Sequence, residues 1–105
     1  MRIYVAGPYA LGDVAQNVRQ AIVAADVLLK AGHTPFLPHL FHFWHLVCPG
    51  PPDQWLKLDL TWLHLCEALV RLPGESAGAD QEVALAQTLG MPVFFGVQNA
   101  PGAYE

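Results

Sequence analysis

Short apolar runs alternate with longer helical patterns along this chain, and Gly or Pro marks nearly every change between them. Arg2-Ile-Tyr-Val-Ala6 reads as a buried strand closed by Gly7-Pro8. From Asp13 the period changes: Val18, Ala21, Ile22, Ala25, Leu28 and Leu29 recur at three- and four-residue steps, with Gly32 placed to stop the helix. Asp13 and Gln16 have the spacing of a capping box. His33 to Leu37 reads as a second strand, and Pro35, which lacks a ladder donor, assigns it to a sheet edge. A helix between two strands implies a parallel crossover. Residues 38–52 mix four Pro, three His and three aromatics, and neither helical nor strand periodicity covers them; they read as a loop with room for a short helix. Asp53 to Leu65 is expected to be helical, Ala68 to Leu72 a buried strand, Ala79 to Leu89 a short helix closed by Gly90, and Pro92 to Phe95 a final strand.

The order β-α-β-(loop-α)-β-α-β argues for a three-layer α/β fold with a mainly parallel sheet of four or five strands. Folds of this kind bind ligands beyond the carboxyl ends of the strands, where strand order reverses. The loops after Ala6, Leu37 and Leu72 are therefore the places to look for chemistry. No repeat, low-complexity stretch or linker divides the chain, so residues 1–105 are expected to form a single domain.

Composition narrows the partners. The 105 residues are 53% hydrophobic and only 13% charged, with five basic and nine acidic side chains giving a net charge of -4. No basic stripe is present to neutralise a row of phosphates, which argues against a nucleic-acid polymer as partner. No run of apolar residues is long enough for a membrane span and the start does not resemble a signal peptide, so a cytoplasmic product is expected. Cys48 and Cys66 are then expected to be free thiols. With so few charges, Trp, Phe and Leu must cover part of the surface, and a homodimer or higher homo-oligomer is expected.

Two acids stand where a helix should be apolar. On a wheel over Asp53 to Leu65, Lys57, Thr61 and His64 gather on the polar side, while Asp59 shares the apolar arc with Trp55 and Trp62. Over Ala79 to Leu89, Glu82 lies among Leu85, Ala86 and Leu89. A desolvated carboxylate costs several kcal/mol or shifts its pKa upward, so packing alone rarely retains one. Glu82 is expected in the first helical turn, where the positive helix end would keep it ionised and nucleophilic. Just upstream, Gly74-Glu-Ser-Ala-Gly78 is a small-residue turn at a strand-to-helix junction, where backbone N–H groups can hold a phosphate or hydroxyl. Two inward acids from adjacent helices suit glycosidic chemistry, one attacking the anomeric carbon while the other orients the sugar or assists the departing group. The plainer reading is that either acid is a structural cap or the partner of an Arg.

These same residues carry a resemblance. Ile3-Tyr4-Val-Ala-Gly7, Asp59-Leu-Thr-Trp-Leu63, Ser76-Ala-Gly-Ala-Asp-Gln-Glu82-Val-Ala-Leu-Ala86 and Leu89-Gly-Met-Pro-Val93 resemble, in order and spacing, the nucleoside 2-deoxyribosyltransferase family and its nucleoside 5′-monophosphate N-glycoside hydrolase relatives. The resemblance implies a flavodoxin-like (Rossmann-like) fold and an enzyme that needs no cofactor. It implies that Glu82 attacks C1′ of a nucleoside or nucleotide to form a covalent glycosyl ester, that Asp59 contacts the sugar or helps the base to leave, and that Tyr4 positions the nucleophile. Another base or water then completes the reaction. Gly7, Pro8, Tyr9, His39, Ser76 and Gly78 are the implied or expected substrate-binding positions. Ser76, in place of the Asp usual in the transferases, points towards a 5′-monophosphate. The Gly7-Pro8-Tyr9 loop lacks the Arg that the hydrolases place near that phosphate, and Asp80 replaces a usual Gly.

His39, His42, His45 and Cys48 recur every third residue, which invites a zinc reading but matches no finger spacing. With aromatics between them, they read better as a wall for stacking a base, and no metal is expected. A different class of function is also compatible with the sequence: a non-catalytic nucleotide-binding or sensing module on the same fold. So is a structural oligomerisation domain with both acids satisfied by hydrogen bonds.

Overall fold

The computed structural model describes residues 1–104. Strands β1 (Arg2–Ala6), β2 (Thr34–Phe36), β3 (Ala68–Arg71) and β4 (Val93–Phe95) form one parallel sheet in the order β2-β1-β3-β4. Helices α1 (Val14–Lys30), α2 (Phe41–Val47), α3 (Pro52–Leu63) and α4 (Ala77–Thr88) connect them. The fold is flavodoxin-like α/β. The chain leaves β1 for β2 on one side and then crosses to β3 on the other, so strand order reverses between β1 and β3. The loops leaving these two strands flank the crevice where such folds bind ligands. β2 lies at the edge, where Pro35 pairs with Ile3 and forfeits no second ladder.

Alternation along the strands divides the core in two. Ile3, Val5, Ala68 and Val70 face α1, packing on Ala21, Ala24, Ala25 and Leu28 together with Ala100 and Ala103 of the C-terminal segment. Tyr4, Ala6 and Leu69 face the other way, onto Leu63, Ala79 and Ala86 of α3 and α4. Tyr4 thereby enters the layer that contains both misplaced acids.

Three local expectations are corrected. The apolar stripe of α1 is centred on Ala21 and Leu28 and includes Ala24, which leaves Ile22 and Leu29 past its edge, 41% and 59% exposed. Small alanines let this helix approach the sheet closely, and the larger side chains fall to the margin. The segment expected to be mainly loop contains a 3-10 turn at Pro38–Leu40 followed by α2. α2 has no buried residue and is instead held by aromatic contacts, Phe41 to Phe36, Trp44 and Trp55, and Trp44 to Trp55 at 5.2 Å between centroids. Finally, α4 begins at Ala77, with Ser76 as its N-cap. The Asp13 cap of α1 forms as expected on one side, its carboxylate accepting the Gln16 N–H at 3.2 Å.

Cys48 and Cys66 are free thiols. Among the described residues, no helix is long and apolar enough to cross a membrane.

Leu28→Ala should cost about 2–4 kcal/mol in urea unfolding, whereas Ile22→Ala should stay below about 1 kcal/mol. Equal losses would contradict the assignment of the buried stripe.

Candidate active site

Close packing at the switch point shapes one wall. A side chain on Gly7 would bring its Cβ within 2.9 Å of Leu72 Cβ, so only glycine lets the loop after β1 lie against the end of β3. The next turns are held by polar contacts. Asn17 Nδ2 donates to the carbonyls of Tyr9 (2.8 Å) and Leu11 (2.9 Å), fixing the loop onto α1. Arg71, the last residue of β3, donates to the Leu72 carbonyl, to Gly74 O at 2.9 Å and to Asp80 Oδ1 at 3.1 Å. The guanidinium thus joins the strand, the small-residue turn and the first turn of α4.

These elements enclose a cavity of about 520 Å³ whose lining includes Gly7 and Tyr9 from the first loop, His39, His42 and His45 from the segment after β2, Trp55 and Asp59 from α3, and Ser76, Gly78 and Glu82 from the α4 side. Both acids selected on helical wheels therefore meet in one cavity. Tyr4 lies beneath it, fully buried, with its hydroxyl close enough to Glu82 to interact.

Glu82 is 6% exposed. Glu82 Oε2, Asp59 Oδ1 and Tyr4 Oη are all sealed from water without a well-formed hydrogen bond among the described residues. A folded chain rarely leaves one buried polar atom unsatisfied, because each costs about 1–3 kcal/mol. Three such groups with mutually compatible chemistry meet around this cavity, and the Nδ1 of His39, which also lines it, is a fourth buried polar atom without a partner.

Burial dominates their ionisation. Desolvation pushes Glu82 up to about 8, with the nearby Asp59 adding to the shift, while the Tyr4 phenol and Arg71 oppose it. Desolvation raises Asp59 to about 7. Burial, reinforced by both carboxyls, raises Tyr4 far above its ordinary range, so it remains a phenol. The sequence-based expectation that a helix N-terminus keeps Glu82 ionised is thus overturned. Since α4 starts at Ala77, Glu82 is its sixth residue, and the first-turn acid is Asp80. The macrodipole fades beyond the first turn.

The substrate-binding positions expected from sequence divide by placement. Gly7, Tyr9, His39, Ser76 and Gly78 line the cavity; Pro8 is not part of its lining. The Pro8 carbonyl instead accepts from His39 Nε2 at 3.0 Å, and His39, 5% exposed, is kept neutral chiefly by desolvation. Ser76 Oγ accepts the Ala79 N–H at 3.1 Å as the helix cap, which leaves its hydroxyl proton for a ligand. A Cβ on Gly78 would meet nothing within 4 Å, so this wall is open at the helix start. Arg19 is exposed on α1, and among the described residues no Lys or Arg lines the cavity. The imidazoles have separate partners. Tyr9 Oη lies 2.6 Å from His42 Nδ1, and His45 Nδ1 accepts from Trp55 Nε1 at 3.0 Å and Gly50 N at 3.2 Å.

Arg71 and Trp55 have roles here that sequence reasoning missed. Trp55, which the helical wheel places only on the apolar arc, lines the cavity. Arg71 carried one signal: a cation at the carboxyl end of a strand directly before a small-residue turn.

A carboxyl whose folded pKa exceeds its unfolded value holds its proton better in the folded state. Stability is then fully present below about pH 4 and drains as the pH rises towards the raised value. Thermal unfolding should show a Tm about 10 °C lower at pH 8.5 than at pH 5, in line with a loss of a few kcal/mol. Glu82→Gln should remove roughly half of this slope, the remainder belonging to Asp59; an unchanged slope would contradict the ionisation assigned to Glu82.

The fold has a counterpart among solved structures. A 2-deoxyribosyltransferase from the psychrotolerant bacterium Bacillus psychrosaccharolyticus, described as a biocatalyst for synthesis of antiviral and antitumoral nucleosides, aligns over 89% of this chain and 69% of its own with a TM-score of 0.65. At 22% identity the similarity establishes a shared fold. No curated protein matches the sequence. A family described as a domain of unknown function, DUF7768, matches residues 1–96, and the chain belongs to that family.

Proposed function

We propose that this protein cleaves the N-glycosidic bond of a (deoxy)nucleoside or its 5′-monophosphate, transferring the sugar to another base or to water. The observation that carries the reading is the convergence of Glu82, Asp59 and Tyr4 on one cavity, each with a buried polar atom lacking a partner. Similarity to the fold of a 2-deoxyribosyltransferase agrees with it.

In the productive protonation state Glu82 is ionised and Asp59 carries the proton. This arrangement is the minor one of the singly protonated pair, because Glu82 holds its proton up to about 8 and Asp59 to about 7; the Tyr4 phenol and the Arg71 guanidinium oppose that order by lowering Glu82. Positive charge developing at C1′ favours the Glu82 anion further. A Glu82 carboxylate oxygen attacks C1′ as the C1′–N bond breaks, and the bonding pair leaves with the base nitrogen. Asp59 donates its proton to that base. Water or a second base then attacks C1′, the C1′–O bond to Glu82 breaks, and Glu82 returns as a carboxylate while Asp59 recovers the nucleophile's proton. Tyr4 fixes the nucleophile from below. The Ser76 hydroxyl and the N–H groups opening α4 meet the sugar's 5′ substituent.

Incubation with deoxynucleosides or deoxynucleotides, with and without a second free base, followed by chromatography, tests this directly. Glu82→Ala should abolish base release, and Asp59→Asn should lower it about a hundredfold or more. Base release that survives Glu82→Ala excludes the mechanism, and saturable binding without release in the native protein identifies a sensing module instead.

The two acids titrate as a pair, so activity should follow a bell. It should rise as the first shared proton leaves and fall as the second does, with its maximum between about 7 and 8. A profile flat from pH 5 to 9 would contradict the division of roles.

A further inference from the structure

His45 is held in a single tautomer. Its Nδ1 accepts from the indole Nε1 of Trp55 at 3.0 Å and from the Gly50 backbone N–H at 3.2 Å. Both partners are donors only, so Nδ1 must present its lone pair and the ring proton resides on Nε2. The ring packs edge-on against Trp55, with centroids 5.7 Å apart, which fixes its plane as well. Nε2 has no partner among the described residues, is not sealed from solvent, and belongs to a ring that lines the cavity. The result is a rigid, neutral N–H donor supported by a backbone amide and an indole.

Its position relative to the acids is set by α3. Trp55 and Asp59 both line the cavity and are separated by four residues, about 6 Å along the helix axis. For a sugar held at Asp59 and Glu82, a base directed towards Trp55 would lie beside His45, in the part of the cavity also lined by Phe41 and Tyr9. A fixed donor there complements an acceptor on the base edge and mispairs with an amino group.

We propose that His45 is a specificity-determining residue that donates from Nε2 to a carbonyl oxygen on the nucleobase, so that the cavity prefers a 6-oxopurine to a 6-aminopurine. The assignment rests on the nucleoside reading of the site.

Calorimetric titration of 2′-deoxyinosine and 2′-deoxyadenosine into Glu82→Gln protein, in which turnover is blocked, tests it. With His45 present, deoxyinosine should bind roughly tenfold more tightly, the scale of one hydrogen bond gained against one mispaired. His45→Phe should erase the preference, whereas His45→Gln, whose amide nitrogen reaches the Nε2 position, should retain most of it; circular dichroism checks that both variants fold. Equal binding of the two ligands, or a preference that persists in His45→Phe, overturns the role of His45 and leaves the nucleoside reading standing. Failure of both ligands and of their 5′-monophosphates to bind overturns the nucleoside reading and this assignment together.

Discussion

Desolvation of two carboxyl groups beside a buried phenol is the constraint on which the remainder of this structure depends. Water would stabilise Glu82 and Asp59 as anions, and the fold removes it without supplying full replacements. Both groups consequently retain protons far above the ordinary carboxyl range. Such a pair is poorly suited to holding a protein together and well suited to exchanging a proton near neutral pH, which is why perturbed acids concentrate at functional sites.

The scaffold produces this arrangement with few resources. Side-chain alternation on β1 sends Ile3 and Val5 to one layer and Tyr4 to the other, so the phenol reaches the acids without a loop of its own. Gly7 permits the approach to Leu72 that brings the first loop over the sheet edge. Arg71 is one of only five basic residues, and its bonds to Leu72, Gly74 and Asp80 hold the start of α4 in place while its charge favours the Glu82 anion. Asp80, which stands where the resembled family usually has a Gly, is that cation's partner.

Periodicity made the sheet, its parallel order and the edge position of β2 legible, because Pro35 and the apolar runs leave few alternatives. It made Glu82 and Asp59 legible for the same reason: an acid on an apolar arc conflicts with its surroundings, and the conflict is visible without coordinates. Features set by tertiary contact were not. The start of α4 moved two residues when Ser76 became the cap, enough to take Glu82 out of the first turn and reverse its expected ionisation. α2 has no buried stripe to announce it, since aromatic contacts with Phe36 and Trp55 hold it. Pro8 contributes its carbonyl to His39 and no cavity surface, a distinction that residue type does not encode.

The most direct test of the central claim is a carboxyl carbon NMR titration of protein labelled at Glu and Asp, with Glu82→Gln and Asp59→Asn used to assign the signals. Two carboxyls should retain protons above pH 6, and replacing Asp59 by Asn should lower the value of Glu82, because a neutral neighbour removes the negative charge that adds to its shift. If every Glu and Asp in the native protein titrates near pH 4, the two acids are hydrated, and the account of a dry, proton-sharing site is wrong.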